Sequence, residues 1–427
     1  MATRVWVGSV RPVAQVTQWL FGGTWESTDI VNATIGSKTV SVVAGSTTIT
    51  TVIDNVVTGL ELASEAEFSS ITWTRSGNYL VGTADEAGVP FACTVSTTET
   101  GGGGADAQTI DGSTSSSGTA TTSCTGPNFA NVAGNWSGST LPVDGDTVIF
   151  ADSDVDCLYG LDNNGVTPAE IYFDSSYTGK IGLPVYNDAD YYEYRDRFLK
   201  YGNSGDAGNI SITVGQGEGS GSPRIKFDAG TGRITLTVLG TGIASTENER
   251  AFEFLGTNAS NEVNVSSGSV GIALHAGSVA TVATLRVGYQ TNVDGDSDVL
   301  CGLGATLTTV TQSGGVVETR TNLTTLTVDG GEHIKSSGSV TTANINGGTL
   351  IYNTTGTLTT LVAAPTGILD FSRDLRTKTV TNLTVNSGST LKDPHGVVTY
   401  TNGILFSRCR PGDVTWEAPI NKTWTPS

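Results

Sequence analysis

The C-terminal part of the chain reads LTTVTQSGG at 307–315, LTTLTVDGG at 323–331, VTTANINGG at 340–348, LTTLVAAPTG at 358–367 and VTNLTVNSG at 380–388. The units start 16, 17, 18 and 22 residues apart. Each opens on an apolar residue and two Thr, or Thr and Asn, then alternates apolar with polar and closes at a glycine turn. A period of two marks a half-buried strand, and Thr, Val and Leu suit a pleated surface. One such strand per coil length is what a parallel β-solenoid requires, because each coil buries its apolar column against the next. The expected fold is therefore mainly β, a parallel β-solenoid (β-helix). Leu326, Val328, Ala343, Ile345, Leu383 and Val385 hold equivalent places in the repeat and are expected to point inward.

Composition agrees. Of 427 residues 55 are Gly, charged residues make up 15%, and Met occurs once. The Leu, Glu and Lys runs of long helices are nearly absent. The net charge of −19 opposes binding to nucleic acid or an anionic membrane surface. No apolar run of membrane-spanning length occurs, so no membrane insertion is expected. The start, MATRVWVGSV, lacks the basic region and apolar core of a secretory signal. Five cysteines, Cys93, Cys124, Cys157, Cys301 and Cys409, are widely spaced and contain no CxxC. They fit reduced, mostly buried thiols better than a metal or disulfide framework, although Cys124 and Cys157 could pair outside a cell.

Outward from the repeats, the reading divides the chain into a small α+β domain at 1–100, a linker at 101–126, the solenoid at 127–408 and a tail at 409–427. The linker, GGGGADAQTIDGSTSSSGTATTSCTG, is too rich in Gly, Ser and Thr to bury a core. Weaker coils are placed at Glu170–Phe173, Ile210–Val214, Ile234–Val238, Val263–Val265 and Leu285–Val287. About 12 coils stacked at about 4.8 Å give a rod about 60 Å long. Within 1–100, two strands flank a Gly36-Ser37 turn, and Ile49, Ile53, Val56, Val57 and Leu60 follow at helical spacing. A hairpin about Ser76-Gly77-Asn78 and a last strand in GVPFACTVS complete one expected sheet with a helix on its face.

Four pieces of this region, IGSKTVSVVAG, the helix after it, SITWTRSGNYLVGTADEAGVPF and CTVS, resemble a small module of structural proteins of tailed bacteriophages and of phage-like bacterial proteins. Its closing TA-x-x-x-G-x-PF segment falls on Thr83 to Phe91. The resemblance covers about 25–98 and implies a virion component, either head decoration or cement, or a tail or fibre part. A second stretch, GNWSGSTLPVDGDTVIFADSD from Gly134, looks like the first coil of many bacterial and phage β-solenoids. There Trp136 would cover the open apolar end, with a cap at about 134–150.

The insertion LPVYNDADYYEYRDRFLKYGN at 183–203 is unlike the rest of the chain. Rings at Tyr186, Tyr191, Tyr192, Tyr194 and Tyr201 beside Asp188, Asp190, Glu193 and Asp196 admit a carbohydrate site, with stacked sugars and paired carboxylates. Phage tailspikes, the class this resembles, carry such sites on β-helix flanks. Packing on the solenoid wall or against another subunit is the favoured reading, because Tyr and Arg are enriched at interfaces. Tyr186, Tyr191, Tyr192, Tyr194, Arg195 and Arg197 are the expected contacts, with Trp416 and Trp424 of the tail. The tail's prolines argue against another solenoid strand, leaving it to cap the last coil or dock on a partner.

Asp294, Asp296 and Asp298, and Asp152, Asp154 and Asp156, echo calcium loops but lack the glutamate an EF-hand needs. His275, His333 and His395 lie far apart, and no HExxH, GxSxG or Walker pattern occurs. The Gly-rich 215–222 stretch lacks a phosphate-binding lysine. No catalytic, cofactor or metal residue is expected. The expected function is a non-enzymatic virion structural protein, a homo-oligomer, with three copies preferred, assembled in the host cytoplasm with capsid or tail proteins. The alternative is a tailspike polysaccharide depolymerase or a glycan-binding adhesin, whose partner is a host surface glycan.

Overall fold

A computed structural model describes residues 2–100, 108–187, 191–202, 208–216, 221–242, 249–288, 297–417 and 419. Each repeat unit forms a strand, among them Ala305–Gln312, Leu323–Val328, Val340–Ile345, Thr357–Ala363 and Lys378–Val385. These pair in parallel, in order, within a 14-stranded ladder. A second strand per coil, such as Glu332–Lys335 or Thr349–Tyr352, builds a 12-stranded parallel ladder opposite. The chain alternates between the two ladders, an arrangement consistent with the expected solenoid. The weaker coils also form: Glu170–Asp174, Asn209–Gln216, Arg233–Val238, Glu262–Val265 and Ala280–Val287 lie consecutively in the first ladder.

The register explains the repeat. Val310, Leu326, Ala343, Leu361 and Leu383 lie directly beside one another on successive strands and are buried. Val328, Ile345, Ala363 and Val385 make a parallel column. All six residues expected to point inward do so. The glycine closing a unit has two reasons to be glycine. Gly315, Gly331 and Gly348 take positive φ of 67°, 78° and 64°. A Cβ on Gly331 would also stand 2.3 Å from the Gly315 carbonyl, and one on Gly348 2.5 Å from that of Gly331. The coils approach too closely at this corner for any side chain.

The first coil is completed by the N-terminus, which corrects the expected boundary. Thr3–Val5 pairs in parallel with Thr147–Phe150, and Arg4 bonds Asp146 at 3.1 Å. Trp6 then packs edge-on against Trp136 at 5.2 Å, with Phe150 against both rings. Each indole N–H finds a carbonyl, Val155 for Trp6 and Ala130 for Trp136. Trp136 is buried at the start of the column beside Trp6, a residue the sequence reading had placed in another domain.

The N-terminal region departs from its expected plan in sheet number. Ile30–Ile35 and Lys38–Val43 form the first hairpin, Ile71–Ser76 and Tyr79–Ala84 the second, and Ile49–Glu61 the helix. They belong to two separate antiparallel sheets, not one. The strand Val16–Gly22, which the sequence reading passed over, pairs with Tyr79–Ala84 and extends the second hairpin's sheet. The helix buries Val52, Ile53, Val56 and Leu60 between the hairpins. Val52 was not expected, while Ile49 and Val57 are only partly buried. Gly59 lets the helix press on the first hairpin, since a Cβ there would meet Val42 at 2.4 Å.

The stretch expected as a linker is also structured where described. Thr109–Ile110 and Thr119–Thr122 pair with Val16–Gly22, and Ser115–Ser116 with Thr94–Thr98. Thr and Ser fit edge strands, so a composition poor in core residues still extends an existing sheet. Residues 101–107 lie outside the described residues. At the other end, Thr415–Glu417 adds a last parallel strand to the second ladder, with Trp416 beside Leu391. The prolines did not prevent this, because Pro411 opens the one-turn helix before the strand and Pro419 lies after it.

Candidate functional site

The 183–203 insertion works as a joint between the N-terminal region and the flank of the ladders. It begins as a hairpin, with Asn187 N–H bonded to Tyr191 O at 3.1 Å and Glu193 N–H to Val185 O at 2.9 Å. The chain then turns inward. Glu193 is buried, and its two carboxylate oxygens take the Nε and a terminal NH2 of Arg195, both at 2.7 Å. A buried carboxylate is tolerated only when paired and hydrogen-bonded, and a forked guanidinium supplies both. The other NH2 of Arg195 donates to Pro90 O at 3.1 Å, across to the N-terminal region. The guanidinium also lies over the rings of Tyr159 and Tyr194, 5.3 and 5.4 Å from their centres.

Tyr194 extends the joint. A Cβ on Gly36 would stand only 2.6 Å from the Tyr194 Cβ, so the first hairpin's turn docks closely on it. Phe129, Tyr159 and Leu183 form a small apolar cluster, with Val89 packed against it from the N-terminal side. Burial pushes the Tyr159 phenol up to about 12, leaving it neutral at physiological pH. A cavity of about 400 Å³ remains in the seam, lined by Glu86, Pro90, Tyr159, Tyr191, Glu193 and Arg195 among others.

The expected contact residues therefore divide into two groups. Tyr194, Arg195 and much of Tyr191 are engaged within the chain, on the N-terminal region and the ladder wall. Tyr186 and Tyr192 face solvent, 65% and 53% exposed, with their rings edge to face at 5.7 Å. Arg197 lies over Tyr192 at 5.7 Å and lines a flank groove of about 550 Å³ with Phe198, Lys200, Asp228 and Val279. Trp416 lies at the far end of the second ladder, against Phe406 at 5.8 Å, and its N–H bonds Pro411 O. It shares no site with the insertion. Trp424, Asp188 and Asp190 lie outside the described residues, as do Asp294 and Asp296.

Two polar groups escaped the sequence reading. Under Phe198, the fully buried Lys226 pairs with Glu253 at 3.1 Å, and Glu253 also takes His275 Nε2 at 3.1 Å. Burial lowers the Lys226 ammonium's affinity for its proton. Burial alone would raise Glu253, but His275 and Lys226 outweigh it and hold the carboxyl below its ordinary range. Lys226 and Glu253 are neighbours in register on adjacent strands, 27 residues apart in sequence, so no local spacing marks the pair. The second group, Glu26, Asp29 and Glu99, brings three carboxylates together and could hold a cation. The five cysteines stand as free thiols, and burial pushes Cys93 and Cys301 up to about 12, which keeps both protonated.

No protein-family model, curated protein or solved structure matches the chain. Among the described residues, no helix is long and apolar enough to cross a membrane.

Proposed function

We propose that this chain is a non-enzymatic structural protein of a tailed-phage virion, a head decoration or tail component built as a rod with an attachment domain. The rod is the pair of parallel ladders, and the attachment domain is the α+β unit of residues 13–122. The observation that carries this reading is the joint. Arg195 commits its fork to Glu193 and its remaining NH2 to Pro90 O, over the rings of Tyr159 and Tyr194, so its charge serves rigidity. Pro90 lies in the TA-x-x-x-G-x-PF segment that resembles the phage module. A stiff rod held at a fixed angle on a small domain suits a part that links one virion surface to another. Tyr186, Tyr192 and Arg197 offer a second contact surface for further copies, three being the preferred number, or for capsid or tail proteins.

A glycan reading remains the alternative on one specific observation, the exposed Tyr186–Tyr192 pair beside the Arg197 groove. Exposed rings stack on sugar faces as readily as on protein. Mass spectrometry of density-purified phage particles carrying this gene tests the structural reading, which fails if the chain is absent from them. Incubating the full chain with capsular polysaccharide separates the alternative: release of new reducing ends would establish a depolymerase, and retention abolished by Tyr192→Ala a glycan binder.

A further inference from the structure

The loop that turns into strand Ile30–Ile35 holds Asp29 with no exposed surface. One of its oxygens, Oδ2, accepts the Glu26 N–H at 2.7 Å. The other, Oδ1, is buried with no donor among the described residues. Carboxylate oxygens of Glu26, Asp29 and Glu99 all lie within 4.8 Å of one another. Gln108, also buried, donates its amide N–H to Glu99 at 3.3 Å and leaves its own Oε1 buried without a donor. Buried acceptors are nearly always satisfied, and two unsatisfied ones beside converging carboxylates describe a place prepared for positive charge.

We propose that Asp29, Glu26, Glu99 and Gln108 bind a hard divalent cation of calcium's size. All four offer oxygen, the ligand such ions take. Oxygens on opposite sides of a calcium ion, each at about 2.4 Å, are about 4.8 Å apart, so three carboxylate oxygens that all lie within 4.8 Å of one another are close enough to share one ion. Magnesium keeps several waters and is held by one or two carboxylates, so a site of three carboxylates and an amide from three segments suits calcium better. Three carboxylates and an amide oxygen leave two or more places for water. Glu99 and Gln108 flank residues 101–107, so the ion ties both ends of that crossing to the loop before Ile30–Ile35. It stabilises the N-terminal region whatever surface that region meets, and the inference does not rest on the proposed function.

Terbium, a luminescent stand-in for calcium, tests this on the full chain after treatment with EDTA. Trp25 is buried next to Glu26, stacked on Phe21 at 5.4 Å, and serves as the sensitiser. The expected result is saturable Trp-sensitised terbium emission, displaced by calcium and poorly by magnesium. Glu99→Gln and Asp29→Asn should each weaken terbium binding on the order of tenfold or more. Absence of sensitised emission would overturn the site. So would emission and calcium competition unchanged in Glu99→Gln, which would place the ion on acidic loops elsewhere. Should Asp29→Asn fail to fold, Glu99→Gln alone decides, because it retains the side-chain shape and the Gln108 contact.

Discussion

His333 sits in the second ladder between Val317 and Leu350 in register, a position that is apolar on the neighbouring coils. It is fully buried, as are Gln312 and Thr319. Gln312 donates its amide N–H groups to the Gly315 and Glu332 carbonyls at 3.0 Å, so its Oε1 must accept. That makes His333 Nδ1 the donor to Gln312 at 3.1 Å and Nε2 the acceptor of the Thr319 hydroxyl at 3.1 Å. The network is complete only with a neutral imidazole. Burial first, then the nearby Lys335 charge, pulls the His333 pKa from 6.5 to about 3. Between those values the unfolded chain binds the extra proton, so this stability is whole above about pH 6.5 and is lost as pH falls toward 3. One proton changes stability by about 1.4 kcal/mol per pH unit. Urea unfolding of His333→Gln between pH 6 and 4 should show a flatter acid slope than the natural chain, by about one proton. Parallel slopes would mean that another group governs the acid limb.

At the scale of elements, each strand is short, and stability comes from stacking. Leu326 touches a strand on either side, so Leu326→Ala opens a gap between coils and should cost about 2–5 kcal/mol. The first coil is a different case, because it has a neighbour on one side only. Trp6 and Trp136 fill the open end, and Trp6→Ala should cost about 3–5 kcal/mol. Chemical denaturation of both variants, read by far-ultraviolet circular dichroism, checks these values. A Trp6→Ala protein as stable as the natural chain would show that the N-terminal strand is dispensable to the rod. These two positions also differ in legibility. Leu326 is announced by a repeat that recurs within one coil length, whereas Trp6 stands in MATRVWVGSV with no pattern around it. Its ring partner Trp136 lies 130 residues downstream, and the strand before it pairs in parallel with Thr147–Phe150, a pairing that no tight turn advertises.

For the whole molecule, the joint decides whether two regions behave as one. The sequence reading placed a Gly-, Ser- and Thr-rich linker between them at 101–126. Instead the chain leaves the ladders after Trp6, forms the N-terminal region and returns near residue 127, so both crossings lie together. Val13 N–H bonds Thr125 O at 2.8 Å, and Arg195 spans the seam a short way off. An exposed ion pair would contribute about 0–1 kcal/mol, but Glu193 is buried, and losing its partner leaves a charge without water. Arg195→Ala should therefore destabilise by about 3–5 kcal/mol, and Arg195→Lys by less, since one bond survives. Calorimetry should show a single transition for the natural chain and two for Arg195→Ala. Two transitions in both proteins would mean that the regions are uncoupled from the start.

What the sequence determined by itself was whatever depends on neighbours within about 20 residues. The period-two columns, the glycine corners, the helix and the two hairpins are all local, and each follows from side-chain periodicity or turn geometry. The tertiary structure alone decided which strands adjoin and which polar groups meet. Thr3–Val5 chose Thr147–Phe150, Val16–Gly22 joined the second hairpin while Thr94–Thr98 joined the first, and Gln312 found His333 across the core. Arg195 reached Pro90, and Asp29 came beside Glu99. These choices follow from burying apolar surface at the least chain-closure cost, a property of the whole chain that no short window of residues contains.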